Sequence, residues 1–387
     1  MYNTNSSYMK IVFFSLILNH HQAPLADSFY HLLGDNYTFV ELRDCKYTKG
    51  DNSDYTSRPY LLQAWKSVME YKKAIKLATD ADACVFGGVE AMPFMKERLR
   101  RNLLSFDMGE RWLKRGIVNL LSPYLMKMFL TYWTEGWYKK RLLKLCNSAF
   151  AARDHSRLCM YKGKCYKWGY FTQVDSDFEV EATEHDSSTS EIIPLMWCAR
   201  FLKWKHPELP VQLAARLKAK GYCFVLDMFG NGEELEHTKK LISDLDVGDC
   251  VNLCGNCPNE VILKEMRKHR IFLFTSDQNE GWGAVTNEAM ANGCVVVGSD
   301  AIGSVPYLVE YGVNGMIFHT EDIDSLEAEV VKLLKDKQRV DAMSVNARET
   351  MQLWSPKEAA NRFIKLCEAI NSGCETPFEE GPCSKDV

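Results

Sequence analysis

The run IFLFTSDQNEGWGAVTNEAMANGCVVVGS, Ile271 to Ser299, contains a strand, a polar glycine-bearing turn, a short helix and a second strand. Neither IFLF nor CVVV alternates apolar with polar residues, so each reads as a strand buried on both faces. Strands of that kind belong to parallel sheets covered by helices. Working outward, the same signal recurs in IVFFSLIL (Ile11–Leu18) and ACVFGG (Ala83–Gly88). Further strands are expected near Ser148–Ala152, Cys165–Phe171, Ile193–Ala199, Cys223–Met228 and Met316–Phe318. Helical periods lie between them. Pro24 opens one that carries Leu25, Phe29, Leu32 and Leu33 and stops at Gly34, while SPKE (Ser355–Glu358) is a capping box before Ala359, Phe363, Leu366 and Ile370. Strands alternating with helices imply an α/β protein with parallel layers.

A chain of 387 residues exceeds one ordinary core, and its composition breaks once. Residues 172–191 are acidic and serine-rich without helical or strand period, as an interdomain linker would be. The expected layout is a tail at 1–8, a first domain at 9–171, the linker, and a second domain at 192–354. The capped helix at 355–372 and a disordered tail at 373–387 follow. Fourteen cysteines are scattered through apolar runs, as buried thiols are, in a chain large enough to need no disulfide framework. CGNC (Cys254–Cys257) has knuckle spacing but lacks a second ligand pair, so no metal site is assigned there. No secretory signal and no apolar run of membrane-spanning length is found, and a reducing, cytoplasmic setting is expected.

Ligands of open α/β sheets sit beyond the carboxyl ends of the strands. In the second domain that edge collects Arg200 and Lys205 after one strand, the GNG turn at Gly230 and Gly232 after the next, Gly255, and then Glu280 to Gly283. A guanidinium fork, an ammonium point charge and free N–H groups at a helix start suit a diphosphate. Glu280 and Glu288 flank the turn, and spacing alone places both toward one cleft.

These residues resemble the nucleotide-sugar half of retaining GT-B glycosyltransferases, family 4 (glycosyl transferases group 1), of the kind that builds bacterial surface polysaccharides. The matching pieces are ARFLKWK, the GNG turn, LCGNCPNE, TSDQNEGWGAVTNEAMANGCVVVGSD with its E-x7-E, and VNG at Asn314; they cover about residues 192–330. The resemblance implies two Rossmann-like α/β domains facing each other across a cleft, with the C-terminal helix returning to the first. It also implies transfer of a hexosyl group from a UDP-sugar, or a GDP-sugar, with retention, and no cofactor. In that scheme Arg200 and Lys205 stabilise the departing nucleoside diphosphate. Glu280 and the backbone of Gly281, Trp282, Gly283, Ala284 and Val285 meet the donor, with Gly230 and Gly232 nearby, and Glu288 accepts from ribose hydroxyls. DAD at Asp80, DSD at Asp175, DLD at Asp244 and DID at Asp322 are too common a tripeptide to assign a metal. Two rival readings stand beside this one: a non-catalytic sugar-nucleotide-binding partner, which keeps the donor pocket but not an acceptor site, and a sugar-nucleotide epimerase on the same fold, a class that lacks this E-x7-E region in this form.

The first βα loop, LNHHQAP, stands where many relatives carry a glycine-rich turn. Its His20 and His21 are candidates to bind a phosphate or act on an acceptor hydroxyl, because imidazole titrates near neutrality. Glu110 and Arg111 in SFDMGERW are further acceptor-side candidates. From Lys96 to Lys144, twelve Lys/Arg oppose four acids (Glu97, Asp107, Glu110, Glu135) in a chain of net charge −4. Trp112, Tyr124, Phe129, Trp133 and Trp137 are interleaved with them. That makeup suits an anionic membrane surface, and no nucleic-acid module accompanies it; membrane contact would in turn suit the glycan or polyprenyl-diphosphate-linked acceptor that the resemblance implies.

Overall fold

The computed structural model describes residues 9–44, 54–174 and 192–386. The first eight residues and the acidic stretch 175–191, with its DSD triplet, lie outside them. Contacts divide the chain into two units, one of residues 1–172 with 354–387 and one of residues 173–353.

The first unit holds a seven-stranded sheet of β1 (Ile11–Ser15), β2 (Tyr37–Glu41), β3 (Leu61–Gln63), β4 (Ala83–Gly87), β5 (Ser105–Gly109), β7 (Leu142–Cys146) and β8 (Cys165–Lys167), in the order β3-β2-β1-β4-β5-β7-β8. A short strand β6 (Lys114–Ile117) lies outside it. Every pairing within the sheet is parallel. The apolar runs at β1 and β4 form its centre, and β1 is buried along its whole length.

The expected strand at Ser148–Ala152 is a turn entering the helix Ala151–Arg157 instead, and the real strand is β7, just before it. Lys144 conceals that strand in the sequence. It is fully buried, its ammonium 3.1 Å from Asp107 on neighbouring β5. A lysine is tolerated inside a sheet when a carboxylate neutralises it, and here that partner comes from an adjacent strand.

The capping box forms as the sequence implies: Ser355 Oγ accepts the Glu358 N–H at 3.3 Å, opening the helix Pro356–Asn371. Phe363 of that helix meets Phe13, Phe29, Phe106 and Trp168, so a helix from the end of the chain closes the core of the first unit. The tail after it is ordered, contrary to expectation. Lys385 bridges antiparallel to Tyr166 of β8, the N–H of Cys383 donates to Lys167 O, and Cys383 and Ser384 are fully buried.

The second unit has a six-stranded parallel sheet of β9 (Ile193–Cys198), β10 (Phe224–Phe229), β11 (Val251–Gly255), β12 (Ile271–Phe274), β13 (Val295–Ser299) and β14 (Gly315–Phe318), ordered β11-β10-β9-β12-β13-β14. Successive strands run outward from β9 to one edge, then resume at β12 on its other side. That reversal leaves a crevice between the loops that follow β9 and β12.

Candidate functional site

The loop after β9 is anchored to the end of β12. Thr275 Oγ1 donates to Lys205 O at 2.7 Å and accepts from the buried Trp197 indole, while the Asp277 N–H donates to Trp204 O at 3.0 Å. These bonds hold Lys205 over the Trp204 ring and beside Glu280, to which its ammonium donates. Arg200 projects into solvent from the same loop and makes no ion pair with any described residue.

The GNG turn acts on this loop through its backbone. Ala199 and Phe201 N–H groups donate to Phe229 O and Asn231 O, and Glu234 N–H donates back to Phe201 O. A Cβ at Gly230 would lie 1.9 Å from Ala199 O, and one at Gly232 2.3 Å from Phe201 O. Two glycines are therefore needed for the turn to press against the segment that presents Arg200.

The turn of the opening stretch places Gly283 at φ +85, where a Cβ would fall 2.7 Å from Phe274. Trp282 is buried, its indole donating to Asn287 Oδ1, so at the sheet edge this residue offers backbone. Ala284 precedes and Val285 begins the helix Val285–Ala291, in whose first turn Glu288 sits. Desolvation pushes Glu288 up to about 7, against a hydrogen bond from Asn259 that lowers it. Burial likewise raises the nearby Cys198 thiol to about 12; the charge of Glu288 adds to the rise and that of Lys205 opposes it. Lys205, Glu288 and Cys198 thus share one neighbourhood, which the Lys205–Glu280 pair extends to both glutamates of the motif.

One group of described residues has the donor types and spacing for a metal ion, and sequence reading missed it. The ligand atoms of His206, Asp277 and Glu321 all lie within 4.8 Å of one another. Burial alone would lower the His206 pKa, but its hydrogen bond to Glu208 and the charges of Glu208, Glu321 and Asp277 outweigh that and raise it. A proton on the imidazole therefore competes with any metal for this carboxylate pocket.

In the first unit the acceptor-side candidates separate. Asn19 Oδ1 accepts the N–H groups of His21 and Gln22, which shapes the NHHQ loop, and the rings of His20 and His21 lie 3.8 Å apart. Tyr170 joins two of the candidates: its hydroxyl donates to Glu110 at 3.2 Å and its ring stacks on His21 at 6.3 Å. Burial, then the Glu110 charge, raises the Tyr170 pKa far above its ordinary value, so it stays a neutral donor. Arg111 is directed elsewhere. It is buried against Asp154 and stacked on Phe150, which commits it to packing.

Two residues here carry no sequence signal. Tyr170 is one aromatic among several after β8. Glu41 is buried at the end of β2, where it accepts from Leu18 N–H, Gln63 and Trp65 and so ties down the β1 loop. A pocket lined by His21, Gln22, Met108, Asn147, Trp168 and Tyr170 opens at this edge. In it Asn147 Oδ1 and the Trp168 indole N–H are buried without a hydrogen-bond partner among the described residues.

Residues 184–350 match the family model described as glycosyl transferases group 1. Over 162 residues the chain is 32% identical to the poly(glycerol-phosphate) alpha-glucosyltransferase of Bacillus subtilis (strain 168), covering 42% of this chain and 23% of that protein. It is 31% identical over 159 residues to the amylovoran biosynthesis glycosyltransferase AmsK of Erwinia amylovora, covering 40% of this chain and 39% of that one. The chain therefore spans well under half the length of these curated relatives. Among solved structures, Anabaena Alr3699/HepE in complex with UDP superposes with a TM-score of 0.68 at 15% identity, over 94% of this chain and 100% of that one. The likeness is one of fold: two parallel-sheet α/β units of the GT-B glycosyltransferase type.

Proposed function

We propose that this protein transfers a hexosyl group from a nucleotide sugar, with UDP as the carrier, to a glycan or lipid-linked acceptor in bacterial polysaccharide assembly. The observation that carries the reading is the Lys205–Glu280 ion pair at the switch point of the second sheet, with the charges of Lys205 and Glu288 both acting on the Cys198 thiol at the end of β9. It falls within the stretch that matches the glycosyl transferase model, and the fold relative Alr3699/HepE is a UDP complex.

In this mechanism the β-phosphate approaches Lys205 and Arg200, and the ammonium turns from Glu280 toward it. Negative charge grows on the diphosphate as the glycosidic bond breaks, and preorganised cations stabilise it most in the transition state. Glu280, released from Lys205, accepts from sugar hydroxyls alongside the Gly281–Gly283 backbone. Glu288 accepts from the ribose.

Two cations supply this charge without a metal on the diphosphate. No covalent nucleophile is assigned, so the acceptor hydroxyl attacks from the face that the diphosphate leaves, its proton passing to the departing diphosphate oxygen as the new glycosidic bond forms with retention. His21, Tyr170 and Glu110 are the acceptor-side groups. Work at the cytoplasmic face of a membrane suits a lipid-linked acceptor.

The test is UDP release across a panel of UDP- and GDP-sugars, followed by NMR of the product anomer. Turnover of one UDP-sugar with a retained anomer supports the reading. Tight nucleotide binding with no hydrolysis or transfer from any donor would replace it with the partner-subunit reading.

A further inference from the structure

The helix Pro123–Thr131 and the π-helical turn that continues it, Tyr132–Gly136, are apolar on both sides. One side covers the core of the first unit: Leu125, Met128, Phe129 and Trp133 pack against it. A helix on a soluble core ordinarily carries one apolar stripe and a polar reverse. Here the outward side is apolar as well, with Leu130 52% and Trp137 54% exposed beside Met126 and Tyr138. The preceding turn extends the patch, with Ile117 72% and Leu121 78% exposed.

Cations rim this patch. Arg115, Lys127 and Lys140 are exposed, and Lys139 lies 4.7 Å over the Tyr138 ring. The acid on the same helical segment, Glu135, is taken up by Lys96 at 2.8 Å.

We propose that this face docks on an anionic phospholipid bilayer. Ile117, Leu121, Leu130 and Trp137 enter the boundary between headgroups and acyl chains, and the lysines meet lipid phosphates. Charge selects this occupant. A second copy of the chain would set cations against cations, and protein interfaces are depleted in lysine at their centres. Adjacent Trp and Tyr side chains, apolar in body and polar at the tip, favour the membrane–water boundary. The helix of nine residues lies along the surface, and no described helix is long and apolar enough to cross a membrane. The inference deepens the proposed function by placing its lipid-linked acceptor, yet it rests on this face alone and not on the donor site.

The experiment is flotation of the full chain with phosphatidylcholine vesicles, with and without phosphatidylglycerol, at low and high salt. Wild type is compared with Ile117→Ser/Leu121→Ser and with Lys139→Gln/Lys140→Gln. Wild type should float with the phosphatidylglycerol vesicles at low salt, and either double variant should cut the bound fraction at least about tenfold. Donor hydrolysis in solution should stay unchanged in both variants, which separates failure of this inference from failure of the transferase reading. Wild type left at the bottom of the gradient, or variants floating as well as wild type, would overturn the proposal. So would a wild-type dimer that Leu121→Ser dissociates, since a second copy would then be the occupant.

Discussion

At the carboxyl edge of the second sheet, Lys205 pairs with Glu280, Arg200 stands open in solvent and Glu288 is desolvated. At the corresponding edge of the first sheet stand His21, Tyr170 and Glu110, with Asn147 and Trp168 offering unmatched polar atoms. Both sheets reverse their strand order beside their first strand, so topology supplies a crevice to each. Side chains then make one edge cationic and the other aromatic and hydrogen-bonding. The first kind suits a diphosphate. The second suits a hydroxyl-bearing acceptor, whose recognition depends on hydrogen bonds and stacking more than on charge.

The division can be broken most directly at Lys205. On the proposed mechanism, in which the ammonium meets charge that develops late, Lys205→Ala should lower kcat by about 10²- to 10³-fold with a smaller change in donor KM. A change in KM alone would make Lys205 a ground-state binder and blur the contrast. Next in size is Gly230→Ala, where a methyl group would meet Ala199 O and an unfavourable backbone angle. Thermal unfolding should register a loss of about 1–3 kcal/mol, with the Arg200 loop displaced.

Glu288 sharpens the comparison through pH. Its carboxyl is raised from 4.5 to about 7, so between those values the folded chain holds a proton that the unfolded chain has released. The stability it contributes is full below pH 4.5 and is lost as pH rises through about 7. If Glu288 holds the ribose as proposed, nucleotide affinity should run the opposite way, since an ionised carboxylate is the better acceptor for ribose hydroxyls. UDP titrations across that window should show tighter binding at higher pH, and Glu288→Gln should flatten the curve. The smallest effect is expected on the other sheet. Tyr170→Phe should raise acceptor KM about fivefold, the worth of one hydrogen bond of about 1 kcal/mol, and leave UDP binding untouched.

Much of the cationic edge was legible because its signals are local. The strands IFLF and CVVV, the glycines at 230 and 283 and the paired glutamates each declare themselves within a few residues. The other edge depends on distance along the chain. β7 could not be read while Lys144 looked like a surface residue, since its counterion Asp107 is 37 positions away. Tyr170 acquires meaning only beside Glu110, and the tail only once Lys385 reaches β8, 219 positions back. The His206 group stayed hidden for the same reason, its three members coming from loops after three different strands.

The helix Pro356–Asn371 has a consequence for how the molecule is made. Phe363 completes an aromatic cluster begun by Phe13, yet all of residues 173–353 are translated between them. A ribosome therefore releases the whole of the second unit before the first can finish packing, although domains usually mature in the order of synthesis. The nascent first half therefore lacks the Phe363 side of its aromatic core until the helix Pro356–Asn371 has been made.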